Sequence, residues 1–132
     1  MNQITIRLKP GQDIRNEIER IVKKNDIQAG CIISAVGSLD KAELRMADGT
    51  TIKSWAKPLE IVSATGTVSI RGCHIHASFA DENGALIGGH LKPGCIVKTT
   101  AEVIILVFLD VKYNRMLDNE TGYGELEIDN AD

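Results

Sequence analysis

Apolar and polar residues alternate from the start of the chain, with Ile4, Ile6 and Leu8 set against Thr5 and Arg7, the period of a half-buried strand. Pro10-Gly11 interrupts that pattern, and Asp13 is a suitable helix N-cap. Ile14, Ile18, Ile21 and Val22 then recur at i, i+4, i+7 and i+8 and predict an amphipathic helix, the one clear helix of the chain. Its acids, Glu17 and Glu19, precede its bases, Lys23 and Lys24, the order that complements the helix dipole. Everything after it reads as strands and turns. Cys31–Val36 is expected to be a buried strand that ends in a turn at Gly37-Ser38. Ala42, Leu44 and Met46 alternate with polar residues up to Asp48-Gly49, a two-residue hairpin signal, and Thr51-Ile52 begins the return strand. Leu59–Thr65 forms the next strand, with Gly66 marking a bulge. Arg71-Gly72, Asn83-Gly84 and Pro93-Gly94 supply further turns. The run from Cys95 to Leu109 is apolar and β-branched almost throughout, and is expected to be a central strand buried on both faces. Val111, Tyr113 and Arg115 pair with Leu126 and Ile128 in a last hairpin. The pattern predicts a single α+β domain over residues 1–132, a mostly antiparallel sheet with one helix packed on it.

Composition narrows the function classes. With 15 Lys and Arg against 18 Asp and Glu, the net charge is −3, without the basic footprint that phosphate binding needs. Trp55, Phe79, Phe108, Tyr113 and Tyr123 are the only aromatics, too few for a row of stacking platforms on single-stranded nucleic acid. Three cysteines, Cys31, Cys73 and Cys95, without a CxxC pair, exclude a disulfide framework and read as buried, reduced thiols of a cytoplasmic protein. No signal-like leader follows Met1, and Val103–Leu109, the longest apolar stretch, is too short to span a bilayer, so no membrane association is expected.

The candidate chemistry lies in the histidines. His74, His76 and His90 are the only three, all within one short window. On a strand, His74 and His76 point the same way, about 6–7 Å apart at Cα, close enough to share an ion. His90 follows Gly88-Gly89, where a bend is expected to bring it to the same ion. Three imidazoles are the protein share of an open zinc site, with a fourth position for water or substrate. Elsewhere, Glu60 stands between apolar neighbours and is a candidate partner for a histidine N–H, a general base, or one half of an interface salt bridge. Gly37 and Ser38 are a candidate backbone cradle for a small anion, although a plain turn explains them as well.

His74-Ile-His76-Ala-Ser-Phe79, Asp81-Glu-Asn-Gly84, Gly88-Gly-His-Leu91, Gly94-Cys-Ile-Val97 and Thr100-Ala-Glu-Val-Ile104 together resemble the plants-and-prokaryotes conserved (PPC) domain, as do Ser34–Leu39 and Leu59–Gly66 upstream. The resemblance spans essentially the whole chain, which looks like a stand-alone prokaryotic member. It implies a compact domain with a curved antiparallel sheet that assembles as a homotrimer. It also implies a bound metal, zinc or another divalent transition ion, carried over onto His74, His76 and His90. Plant members add an Arg-Gly-Arg-Pro hook for the A·T minor groove. This sequence lacks it, since Arg71-Gly72 is followed by Cys73. The sequence reading is therefore a metal-binding domain, with a small-molecule ligand or latent hydrolytic or lyase-like chemistry near the ion and no reaction assigned. A DNA-binding or protein-binding regulator, as the family label suggests, is the alternative.

Overall fold

Side-chain period decides most of the architecture, seen in a computed structural model that describes residues 1–131. The elements are β1 (Asn2–Leu8), α1 (Ile14–Lys24), β2 (Gly30–Arg45), β3 (Ile52–Trp55), β4 (Leu59–Ser69), β5 (Gly72–Ala80), β6 (Leu86–Leu91), β7 (Ile96–Val107), β8 (Val111–Leu117) and β9 (Gly124–Asn130). β1, β7, β2, β4, β5 and β6 lie side by side in that order, β3 pairs with β2, and β8–β9 form a separate hairpin. Every pairing among these strands is antiparallel. The far end of β2 also pairs with β6, Leu44 opposite Leu91 and Arg45 opposite His90, so the sheet curls back on itself. Among the described residues, helix content is limited to the 11 residues of α1.

The helix follows the predicted stripe. Asp13 caps it, accepting from Asn16 N–H at 3.1 Å through one oxygen and from Gly94 N–H at 2.7 Å through the other. Ile14, Ile18, Ile21 and Val22 are buried against the inner face of the sheet, with Leu39, Leu44, Val68, Ile75, Phe79, Val97 and Ile105 in the same core. No helix is long and apolar enough to cross a membrane among the described residues.

Five expectations are corrected. β2 does not end at Gly37-Ser38: it runs through, with register shifts on its β7 side that bend it. Gly37 sits there at φ 155°, and a Cβ would stand 2.0 Å from Thr100 O of the paired strand β7, so glycine serves a bulge rather than a turn. Gly66 is in regular register between Ile32 and Ile75, and the bulge in β4 lies instead between Ile61 and Ser63. Asp48-Gly49 sits in a longer loop than two residues, because Met46 N–H bonds to Thr51 O. β7 is central but not buried on both faces. Val97, Ala101, Val103 and Ile105 face the core while Lys98 and Glu102 are exposed, so its apolar run conceals an alternating strand. Of the cysteines only Cys95 is buried, its thiol pushed up to about 11 by that burial, while Cys31 and Cys73 are half-buried and all three are free.

Replacing Asp13 removes both the cap and the tie to the turn before β7. Asp13→Ala is expected to lower unfolding stability by about 1–2 kcal/mol, toward the upper end for a cap because the second bond is lost with it. Urea unfolding followed by circular dichroism measures this, and an unchanged midpoint would contradict it.

Candidate metal centre

Cys73, Ile75, Ala77 and Phe79 are the inward set of β5, which leaves His74, His76 and Ser78 on the outer face. The turn after β5 sets what lies beside them. Asp81 accepts from the N–H groups of Asn83 and Ala85, its own N–H donates to Ala85 O, and its carbonyl accepts from Gly84 N–H. This tight loop pairs Ala80 with Leu86, and the ladder counted back from it places His90 directly opposite His76. The expected bend at Gly88-Gly89 does not occur. β6 stays extended, and cross-strand register delivers the third histidine.

The rings converge. His74 and His76 have centroids 5.0 Å apart, His74 and His90 5.2 Å, and His76 and His90 5.6 Å. One ring nitrogen from each lies within 4.8 Å of the other two, and no carboxylate or thiol joins the group among the described residues. Thr65 and Thr67 of β4 stand opposite His76 and His74.

The surroundings of His74 and His90 favour their neutral forms. Partial burial lowers the pKa of His74, and the neighbouring His76 lowers it further. For His90 burial is again the larger cause and the Arg45 charge the next, bringing it down to about 4. Arg45 Nη2 lies 3.5 Å from His90 Nδ1, which places its positive charge beside that ring.

Arg15 holds the two histidine strands from behind. It projects from α1 with only 12% of its side chain exposed, donates to Cys73 O at 2.6 Å and Leu91 O at 3.0 Å, and pairs with Glu19 at 2.8 Å. Those carbonyls belong to the residues next to His74 and His90, so one guanidinium ties together the backbone on which both are mounted. A cavity of about 430 Å³ opens beside the histidines, lined by His74, His90, Arg45, Arg115, Tyr123 and Glu125 among others.

Sequence reasoning missed Arg15, Arg45 and Arg115. Arg15 looks like any surface residue of an amphipathic helix, and the other two are distant in the chain. Nothing short of the register of β2 on β6 and the placement of the β8–β9 hairpin connects them to the histidines. Glu60, by contrast, is not near them. It is exposed on β4 opposite Ser38 and Ala80, at the other end of the ladder from the Thr65–His76 pair, and so makes no contact with an imidazole. Gly37 and Ser38 are paired to β4, Gly37 to Ala101 of β7 as well, and Ser38 Oγ accepts from Thr99 N–H at 3.3 Å. Their backbone is committed to the sheet rather than open to an anion.

The model of the Plants and Prokaryotes Conserved (PCC) domain matches residues 1–109. The bifunctional protein GlmU of Synechococcus sp. (strain JA-3-3Ab) is 44% identical over 124 residues, 94% of this chain but 20% of the relative. The chain thus spans about a fifth of the length of the curated relatives it matches. A hypothetical protein from Salmonella cholerae-suis superimposes with a TM-score of 0.95 at 32% identity, over 98% of this chain and 94% of the other. A metal-containing protein from Archaeoglobus fulgidus does so with a TM-score of 0.84 at 29% identity, over 96% and 94%. A structure from Bacteroides thetaiotaomicron, described as a candidate DNA-binding protein, shares the fold alone, with a TM-score of 0.83 at 19% identity over 97% and 91%. The ordered motifs around His74, His76 and His90 lie inside the matched residues, and the chain belongs to the Plants and Prokaryotes Conserved domain family.

Proposed function

We propose that His74, His76 and His90 bind a divalent transition metal, zinc first, and that the protein acts through this centre as a homotrimer. The observation that supports it most is the convergence of three imidazole nitrogens within 4.8 Å on one face of a rigid two-strand ladder. The donor set fits. In a tetrahedral zinc site with Zn–N bonds of about 2.0–2.1 Å, ligand nitrogens lie about 3.3 Å apart. Imidazoles must be neutral to ligate, and burial favours that form at His74 and His90. The similarity to the metal-containing Archaeoglobus protein supports the same reading. Zinc held by three histidines supplies a Lewis acid with an open coordination position. The protein's residues hold and orient the ligands: Arg15 fixes the strands, and partial burial favours the neutral forms of His74 and His90.

The trimer reading is supported by the outer side of the sheet, which no helix covers. Ile33, Val36 and Val62 are 55%, 57% and 53% exposed there, more apolar surface on one sheet than solvent contact favours. Glu60, exposed on the same sheet, suits an interface charge.

Metal analysis of the purified protein is expected to give about one zinc per chain, and His74→Ala or His90→Ala to lower retention at least tenfold. Undiminished metal in either variant would overturn the assignment. Because burial holds His74 and His90 below the ordinary histidine value of 6.5, protons compete with the metal only at lower pH. Zinc release followed with a chromogenic chelator should accordingly have its midpoint below pH 6.5, and a midpoint at pH 7 or above would contradict it. Arg15→Met, which leaves two backbone carbonyls without their donor, is expected to weaken metal affinity about tenfold or more while the three ligands remain. For assembly, Val36→Asp is expected to convert a three-chain species to monomer in sedimentation analysis. Sedimentation of the unaltered protein as a monomer would refute the trimer.

A further inference from the structure

The cavity beside the histidines has an unusual charge balance. Arg45 reaches it from the end of β2 and Arg115 from β8, both half-buried, and neither takes part in any of the ion pairs formed among the described residues. Arg45 has a long contact to His90 and a buried Nε with no hydrogen-bond partner. Arg115 Nη2 donates once, to Thr67 Oγ1 at 3.0 Å, and the rest of its fork is unused. A guanidinium withdrawn from water without a counter-charge is costly, and a buried donor without an acceptor is costly too. Glu125, exposed on β9, is the single acid lining the cavity, against two arginines.

We infer that this cavity binds a small oxyanion-bearing molecule, its carboxylate or phosphate seated between Arg45 and Arg115, with the rest of the molecule reaching the three-histidine centre. Planar guanidinium forks match such groups in a bidentate way that a lysine does not. The volume, about 430 Å³, suits a metabolite-sized ligand rather than a polymer. Two of the three histidines line the same cavity, so a ligand anchored on the arginines would have its neighbouring atoms beside residues that would hold the metal. This names the ligand class of the proposed metal centre and rests on that reading for its chemical meaning, but the anion contact itself requires no metal. It also gives the β8–β9 hairpin a role. The hairpin lies beyond residues 1–109, which carry the family match, yet supplies Arg115, Tyr123 and Glu125 to the wall of the cavity, and so selects the ligand.

Calorimetric titration of the full chain with oxalate and, separately, with inorganic phosphate tests this, each in zinc-loaded and zinc-free protein. At least one probe is expected to bind both forms. Arg45→Met and Arg115→Met should each weaken that binding at least tenfold, and Arg115→Lys, which keeps the charge but not the fork, should fall between. Oxalate affected and phosphate not would assign a carboxylate ligand, and the reverse a phosphate. Arg115→Met is expected to retain zinc as the unaltered protein does, which also shows that it folds. Binding of neither probe at 10 mM, or binding to both arginine variants as tight as to the unaltered protein, would overturn the inference. His76→Ala separates it from the metal reading: loss of zinc with anion binding retained is the expected outcome, and loss of anion binding in that variant would place the anion on the metal rather than the arginines.

Discussion

The arrangement of the site depends on one constraint, the register of β6 on β5. Side chains on a strand alternate faces, so slipping this pair by a single residue would send His90 into the core side and replace it on the outer face by Gly89 or Leu91. The register is held at both ends. At the turn, Asp81 collects the N–H groups of Asn83 and Ala85 and allows only the Ala80–Leu86 pairing to follow. At the histidine end, Arg15 bonds the carbonyls of Cys73 and Leu91 together, and β2 clamps the far edge of β6 through the Leu44–Leu91 and Arg45–His90 pairs. Apolar burial adds the same preference, since Ile75, Ala77, Phe79 and Leu91 reach the core only in this frame.

The helix contributes as much to the site as to the core. Its apolar stripe seats it on the inner face, and the Asp13 cap ties its start to the turn that precedes β7. Arg15 is then delivered from behind the sheet, with its stem buried and each of its three nitrogens donating, to the carbonyls of Leu91 and Cys73 and to Glu19. Such a group is expensive to withdraw from water unless each donor is used, and its use here explains why a charged residue stands at the edge of a helix's buried face.

Charge has been distributed on the two sides of the histidines differently. Arg15 is neutralised by Glu19 and carbonyls, whereas Arg45 and Arg115 face a cavity with little to neutralise them. The first arrangement serves structure, the second has the form of a binding site. The long, bent β2 connects these parts, because its first half lies between β7 and β4 while its second half reaches β6. Register shifts along its β7 side, one of them just after Gly37 where the bare backbone passes close to Thr100, bend one strand so that it does both.

Local periodicity was sufficient to read β1, the helix with its cap, the turn at Asn83-Gly84 and the shared face of His74 and His76, because each depends on contacts within a few residues. The family could be read from ordered motifs, and the three candidate ligands from their spacing. The sequence could not show that Gly37-Ser38 continues a strand, that β7 is exposed on one side, or that Glu60 lies away from the histidines, since a glycine or an apolar run has the same local appearance in a turn, a bulge or a half-buried strand. Nor could it join Arg15, Arg45 and Arg115 to the site. Those links span 76, 45 and 48 residues, and hydrogen bonds at such separations exist only once strand pairing has brought the ends together. The chain by itself determined which side chains share a face. The tertiary structure decided which faces meet, because register and sheet curvature are properties of paired strands and not of any one of them.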